Sequence, residues 1–464
     1  MKTPISIALV VFALGLPAAS AQSLSPHQQL TRDIYRELVE IRTVHPDGDN
    51  TAAARAMARR LLEAGFDAKD VEVLEPHPLK GNVVVRLRGT GELKPLLLLA
   101  HLDVVEAKAE DWSDGLDPFK FTERDGFYYG RGVIDDKAMA AIFVANLIKA
   151  KREGWQPKRD VIVALTADEE TGGHNGVAWL LKNRRELVDA AVALNEGGGG
   201  QYRKGKPHVQ SVQVSEKMYL SFDFEATHPG GHSSQPGREN AIYDVAAALE
   251  RLSHFDLPAR PNEAMRAMAA QLVEVETGEM AKALAAVAAN RATNEDYRVL
   301  SRSARYNSQL RTTCVATRIE GGHADNALPQ RAKATVNCRI LPGDDPDFIG
   351  SELQRVAGDR VKVSPRGSAR KSEPTDSQSP FMKTIERLSV AMWPGVTVVP
   401  VMGTGATDGS RLRNVGIPVY GVSGLFVESG ENRLHGRDER ISVKAFYEGA
   451  EFLDRLVRAL GNGE

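Results

Sequence analysis

The stretch that decides the fold reads PLLLLAHLDVV at 95–105 and, after a loop, GRGVIDDK at 130–137. Leu96–Ala100 is an unbroken apolar run behind Pro95, the pattern of a short buried strand. It ends at His101-Leu102-Asp103. A histidine at the carboxyl end of a buried strand stands where open α/β sheets gather their chemistry. Asp103, two residues on, can orient that imidazole from a second layer. The second half sets Asp135 and Asp136 on a glycine-cornered turn just ahead of an apolar helix, Lys137–Arg152.

Working outward, two further apolar strands end in acid. Val161–Thr166 runs into Asp168-Glu169-Glu170, and Ala190–Leu194 runs into Asn195-Glu196 and the glycines 197–200. Three strands thus deliver His101, Glu169/Glu170 and Glu196 at their carboxyl ends, whereas random placement would scatter such residues. Ser25–Val39 and Thr51–Ala64 read as helices, and Val71–Leu74 and Val83–Leu87 as strands. The glycines 197–200 and Gly403-Thr404-Gly405 lack the Gly-Lys-Ser/Thr ending of a phosphate loop, and neither His-Glu-x-x-His nor Gly-x-Ser-x-Gly occurs.

From about residue 215 the texture changes. Met218–Thr227 alternates like a half-exposed strand, Arg238–His254 is helical, and Arg311–Ile319 and Ala332–Leu341 are strands. Helix Asp345–Val356 and strand Arg360–Val363 complete a βαββαβ order, that of a ferredoxin-like α+β module, with a helical insert over Asn262–Asn290. Helix Phe381–Trp393, strands Val396–Val401 and Ile417–Tyr420, and a helix capped by Ser442 return to α/β texture. The expected division is 22–215 with 375–464 as one discontinuous domain and 216–374 as an inserted one.

The chain of 464 residues is too long for one ordinary core. With 42% hydrophobic and 26% charged residues it is a soluble globular protein. A formal net charge of −2 favours neither nucleic acid nor an anionic membrane surface. Lys2, the apolar run Ile5–Leu16, and Ala19-Ser20-Ala21 have the form of a cleaved secretory leader over 1–21. That run is short for a membrane span, so no span is expected once it is removed and the mature chain is expected to be periplasmic or secreted.

A pair of divalent metals needs a bridging carboxylate plus nitrogen and oxygen ligands for each ion. Here are strand-end carboxylates, loop histidines and an aspartate turn, with no thiolate near. Glu169 and Glu170, adjacent on an extended strand end, would point opposite ways, one to metal and one as general base on water. The ordered pattern His101-x-Asp103, Gly130-Arg-Gly-x-x-Asp135-x-Lys137, Asp168-Glu169-Glu170, Asn195-Glu196 and a late His435 resembles the dinuclear zinc peptidases and amidohydrolases. That family includes glutamate carboxypeptidase, succinyl-diaminopimelate desuccinylase, acetylornithine deacetylase, aminoacylase and carnosinase. The resemblance implies an α/β zinc-exopeptidase-like domain with a mixed sheet, and a ferredoxin-like lid or dimerisation domain. It implies two zinc ions, with His101 and Glu196 on one, Glu170 and His435 on the other, and Asp135 bridging. Asp103 would orient His101, Glu169 would be the general base, and the Asp135–Asp136 peptide would be cis. In the module, Gly230-Gly231-His232-Ser233-Ser234 resembles the lid histidine that reaches a partner subunit's site. Asn326 and Arg339 resemble the pair binding a substrate carboxylate.

The implied activity is a zinc exopeptidase, carboxypeptidase or dipeptidase, acting through a di-zinc-activated water as a homodimer on peptides. An N-acyl-amino-acid amidohydrolase would use the same machinery. A non-catalytic binding protein on this scaffold would have lost ligands, and none is missing here. Cys314 and Cys338 fall on consecutive strands of the module. If these pair antiparallel about residue 326, the two cysteines oppose each other at ~4.5–5.5 Å between Cα atoms, within disulfide reach. Two buried thiols are the other reading.

Overall fold

The structure, a computed structural model, describes residues 23–369, 373–431 and 433–464, so the leader reading over 1–21 lies outside the described residues. Ten strands form one mixed sheet. Neighbours run Val71–Leu74, Asn82–Leu87, Arg159–Thr166, Leu93–His101, Val192–Asn195, Val419–Gly421, Lys206–Glu216, Gly200–Arg203 and Phe426–Glu428, with Thr397–Gly403 alongside Lys206–Glu216. The strand ending at His101 lies between those ending at Thr166 and Asn195, parallel to both.

Alternation along these strands feeds two cores. Leu96 and Leu98 join Val161, Val163, Phe143 and Phe446 on one face, under helices Pro26–Glu40, Lys137–Arg152 and Val443–Gly461. Leu97 and Leu99 join Ile162, Val177, Leu180 and Leu412 on the other. Side-chain caps start these helices where the sequence places them: Ser25 accepts from Gln28 N–H, Asp49 from Ala52 N–H, and Ser442 from Ala445 N–H.

A second sheet has strand order Thr313–Gly321, Arg331–Ile340, Met218–Thr227, Lys362–Arg366, all antiparallel. With helices Ala241–Ser253 and Pro346–Ala357 this is the ferredoxin-like arrangement. Leu220, Phe222 and Phe224 occupy its core with Val245, Val336 and Leu353. Cys314 is the cross-strand partner of Cys338 and the two form a disulfide, with Cα atoms 4.1 Å apart. The helical insert extends to Leu310, beyond the expected Asn290. Its Met265, Met268, Leu284 and Leu300 pack with Val209 and Val399 of the large sheet.

The sequence reading passes over the hairpin Gly200–Arg203/Lys206–Glu216. Lys204 and Gly205 both adopt positive φ, 54° and 72°, the two-residue turn that matches strand twist. The glycines ahead of it answer to packing: a Cβ on Gly200 would lie 2.1 Å from the Phe426 ring.

Candidate metal centre

Parallel register brings His101 level with Thr166, so the chain beyond each strand emerges on one edge of the sheet. There His101 Nε2 lies 2.9 Å from Asp135 Oδ1 and 3.7 Å from Glu196 Oε1. His435 Nε2 lies 3.1 Å from Asp135 Oδ2 and 3.0 Å from Glu170 Oε1. Two ligand triads result, His101–Asp135–Glu196 and Asp135–Glu170–His435, with the ligand atoms of each within 4.8 Å of one another. The two oxygens of Asp135 face two different histidines. The Asp135–Asp136 peptide is cis.

Asp103 is placed otherwise than expected. His101 Nδ1 bonds the backbone carbonyl of Asp103 at 2.9 Å, while the carboxylate is 3.7 Å away. That carboxylate instead accepts the N–H groups of Glu169 at 3.1 Å and Glu170 at 3.0 Å. The bond at Nδ1 still fixes the ring and leaves Nε2 to face the cluster. Glu169 and Glu170 lie on a turn rather than an extended strand end, because Asp168 adopts φ 63°. Buried Asp168 closes the turn by accepting from Thr171 Oγ1 at 2.6 Å and pairing with Lys80 Nζ at 3.2 Å. The pairing with Lys80 is not marked in the sequence, since it depends on a loop distant in the chain, whereas the bond to Thr171 is local.

Burial opposes the charged form of His101, but its bond to Asp135 and the charges of Glu196 and Asp103 outweigh it and hold the imidazole well above its ordinary pKa. Hydrogen bonds to Asp135 and Glu170 push His435 up to about 10. Burial pushes Glu196 well above the carboxylate range, with Asp135 adding to it. Burial does the same to Glu169, where Asp408, Asp103 and Glu170 add to the effect. Asp135 is held low despite burial, because both histidines bond it. Asp103, Asp135, Asp136, Glu169, Glu170 and Glu196 therefore crowd around two imidazoles, a surplus of negative charge that divalent cations neutralise. Nitrogen and oxygen donors, three residues per triad, match the ligand type and number of a hydrolytic metal site with a position left open. The residues fit a metal pair.

The module's candidate residues lie apart from this cluster: none makes a hydrogen bond or ion pair with it among the described residues. His232 is exposed on a short strand paired with Ala327. Its Nδ1 accepts from the Ser234 N–H at 3.1 Å and faces the Ser234 hydroxyl at 2.8 Å, so a neutral ring carries its proton on Nε2. Asn326 is held nearby, its carbonyl accepting the Ser233 N–H at 3.1 Å. The Arg339 guanidinium lies over the Tyr219 ring, 4.8 Å from its centroid, and pairs with no carboxylate among the described residues. Burial lowers its pKa.

Residues 97–459 match the family described as Peptidase family M20/M25/M40. The chain belongs to this family. It is a metallopeptidase-class hydrolase with the mixed α/β fold of M20 enzymes. A probable carboxypeptidase S-like 2 of Dictyostelium discoideum is 29% identical over 391 residues, covering 81% of this chain and 74% of that protein. The human N-fatty-acyl-amino acid synthase/hydrolase PM20D1 is 29% identical over 381 residues, covering 79% and 74%. Aminoacylase-1 of Pongo abelii is 27% identical, covering 92% and 95%. Among solved structures, an M20 metallo-carboxypeptidase of Sulfolobus solfataricus superposes with TM-score 0.69 at 17% identity, covering 93% of this chain and 99% of that one. A dinuclear metal-binding M20 peptidase of Bacillus subtilis superposes with TM-score 0.59 at 14% identity, covering 94% and 98%.

Proposed function

We propose that the chain binds two zinc ions and hydrolyses an amide bond next to a free carboxylate, as a carboxypeptidase or dipeptidase. The observation that carries this is Asp135, whose Oδ1 faces His101 at 2.9 Å and whose Oδ2 faces His435 at 3.1 Å. His101 and Glu196 would hold one ion, Glu170 and His435 the other, with Asp135 shared. Bound there, the ions supply Lewis acidity toward a carbonyl and toward water. Glu169 belongs to neither triad, and its raised proton affinity suits a general base that takes a proton from water and passes it to the leaving amine. Asp103 acts by holding the Glu169–Glu170 turn and, through its carbonyl, the His101 ring. Arg339, free of an acidic partner among the described residues, and Asn326 would receive the substrate carboxylate, which an Arg fork matches bidentately.

His232 would donate from Nε2 to the scissile carbonyl of a substrate bound in the active site of a partner subunit. Its exposure supports that role, and so does the exposed edge strand Thr313–Gly321, where Val315 and Ile319 stand 61% and 62% exposed. The separate core of the second sheet supports a lid domain over 216–374 set into a catalytic domain of 22–215 and 375–464. A periplasmic or secreted location agrees with the Cys314–Cys338 disulfide, since such bonds persist in oxidising compartments. No helix among the described residues is long and apolar enough to cross a membrane.

A second reading, an N-acyl-amino-acid amidohydrolase, is favoured by the match to aminoacylase-1 along 95% of that protein. One experiment tests both. The purified protein is analysed for metal, then assayed on C-terminal dipeptides and N-acyl amino acids with and without a chelator. Two zinc ions and chelator-sensitive turnover of one panel are expected. Absence of metal binding or of any amide turnover would leave a binding protein on this scaffold.

A further inference from the structure

The turn that carries Asp135 and the loop that carries His435 are tied by one buried ion pair that belongs to neither triad. Strand Arg440–Ser442 pairs with Phe127–Tyr129, which lays Glu439 under the turn beginning at Gly130. The Gly130 N–H donates to the Glu439 carbonyl at 3.2 Å. The Glu439 side chain is fully buried and its carboxylate takes four donors. Oε1 accepts the N–H of Ile134 at 2.8 Å and of Asp135 at 3.3 Å. Oε2 accepts the N–H of Gly132 at 3.1 Å and Arg131 Nη1 at 2.7 Å. The other arm of the Arg131 fork donates to the carbonyl of Gly436, next to His435, at 2.8 Å.

We infer that Arg131 and Glu439 are positioning residues for the metal pair: together they fix the backbone of Asp135 relative to that of His435. The inference rests on the two-zinc reading. The Asp135 carboxylate must present one oxygen to each half of the centre, and a small rotation of its backbone spoils both. The His435 half depends on the tie twice, through Asp135 and through Gly436, and the His101 half only once. Loss of the tie therefore weakens the His435 half more. A structural ion pair elsewhere in the core would lower stability without this asymmetry.

The test is stepwise zinc titration of metal-free protein by calorimetry, with thermal unfolding of the same metal-free samples. Arg131→Lys keeps the charge but cannot hold Glu439 and Gly436 with one planar fork. Glu439→Gln places an amide where only acceptors serve. Both are expected to bind one ion near wild-type affinity or modestly below, and the second about 10–100-fold more weakly, the usual effect of groups that orient ligands. The double variant Arg131→Met/Glu439→Met removes both charges and also leaves the N–H groups of Gly132, Ile134 and Asp135 without their acceptor. Its second zinc should stay weak while its first binds as in the single variants. Wild-type affinities in both single variants would overturn the inference, as would equal weakening of both ions in step with lost stability. Wild-type protein binding fewer than two ions would overturn the two-zinc reading and this inference with it, an outcome visible before any variant is compared.

Discussion

Glu169 and Glu170 are neighbours with different surroundings, and their variants should separate. Glu170 faces His435 within a triad and Glu169 does not. Glu169→Gln should keep bound metal and lose turnover by ~10²–10⁴-fold, the usual weight of general acid–base help. Glu170→Gln should lose metal. Elemental analysis beside a rate measurement decides it, and the reversed pattern would exchange the two roles. At this scale the sequence was legible where a residue sits at a strand end, as His101 and Glu196 do, and less so for the acidic pair, which lies on a turn. It was not legible where a partner comes from afar. The spacing His101-x-Asp103 suggested a carboxylate–imidazole bond, whereas the carboxylate turned to two N–H groups of the adjacent strand's turn. Gly200 shows the same limit from the other side. Its lack of a side chain is dictated by Phe426, so Gly200→Ala should destabilise by ~1–3 kcal/mol, the range of overpacking, in denaturant unfolding.

Elements were read well where the apolar pattern was unbroken, as for Lys137–Arg152 and Met218–Thr227, found at the expected bounds. The hairpin 200–216 was missed because Lys-Gly is a weaker signature than Asn-Gly for the same turn. Its last residue leads into Lys217, which joins the two sheets and is 1% exposed. Lys217 Nζ donates to the Arg311 carbonyl at 2.7 Å and to Thr313 Oγ1 at 3.3 Å. Burial, aided by the nearby charge of Arg339 and opposed by Asp344, pushes its pKa down to about 7. The unfolded chain, titrating near 10.5, then holds more protons than the folded one between those values. Stability from this residue therefore rises as pH rises from 7 toward 10.5 and is lost as pH falls through 7. Lys217→Met should flatten that rise, measured as the difference between wild-type and variant unfolding temperatures across the interval. A difference independent of pH would show Lys217 to be charged throughout.

For the whole molecule, a shared site and a disulfide make separate statements. Mixing inactive His232→Ala with inactive Glu169→Gln should restore partial turnover once subunits exchange, because one composite site then has both groups intact. No rescue under proven exchange would refute the shared site. Replacing Cys314 and Cys338 by serine removes a link between residues 24 apart and should lower stability by ~3 kcal/mol on the chain-entropy account. The two-sheet architecture was legible from the change of texture near residue 215. The seat of the insert's helices on the large sheet was not, since an amphipathic face shows that it is covered but not by what.

The order of the two triads along the chain carries a last consequence, for biosynthesis. His101, Asp135 and Glu196 all precede residue 200, whereas the other triad waits for His435. The strand Val192–Asn195 likewise waits for its neighbour Val419–Gly421. A growing polypeptide stalled between these points should capture at most one equivalent of zinc and cleave nothing, measurable on arrested translation products. Competence to cut should thus arrive only after His435 has been made, late in the order of synthesis.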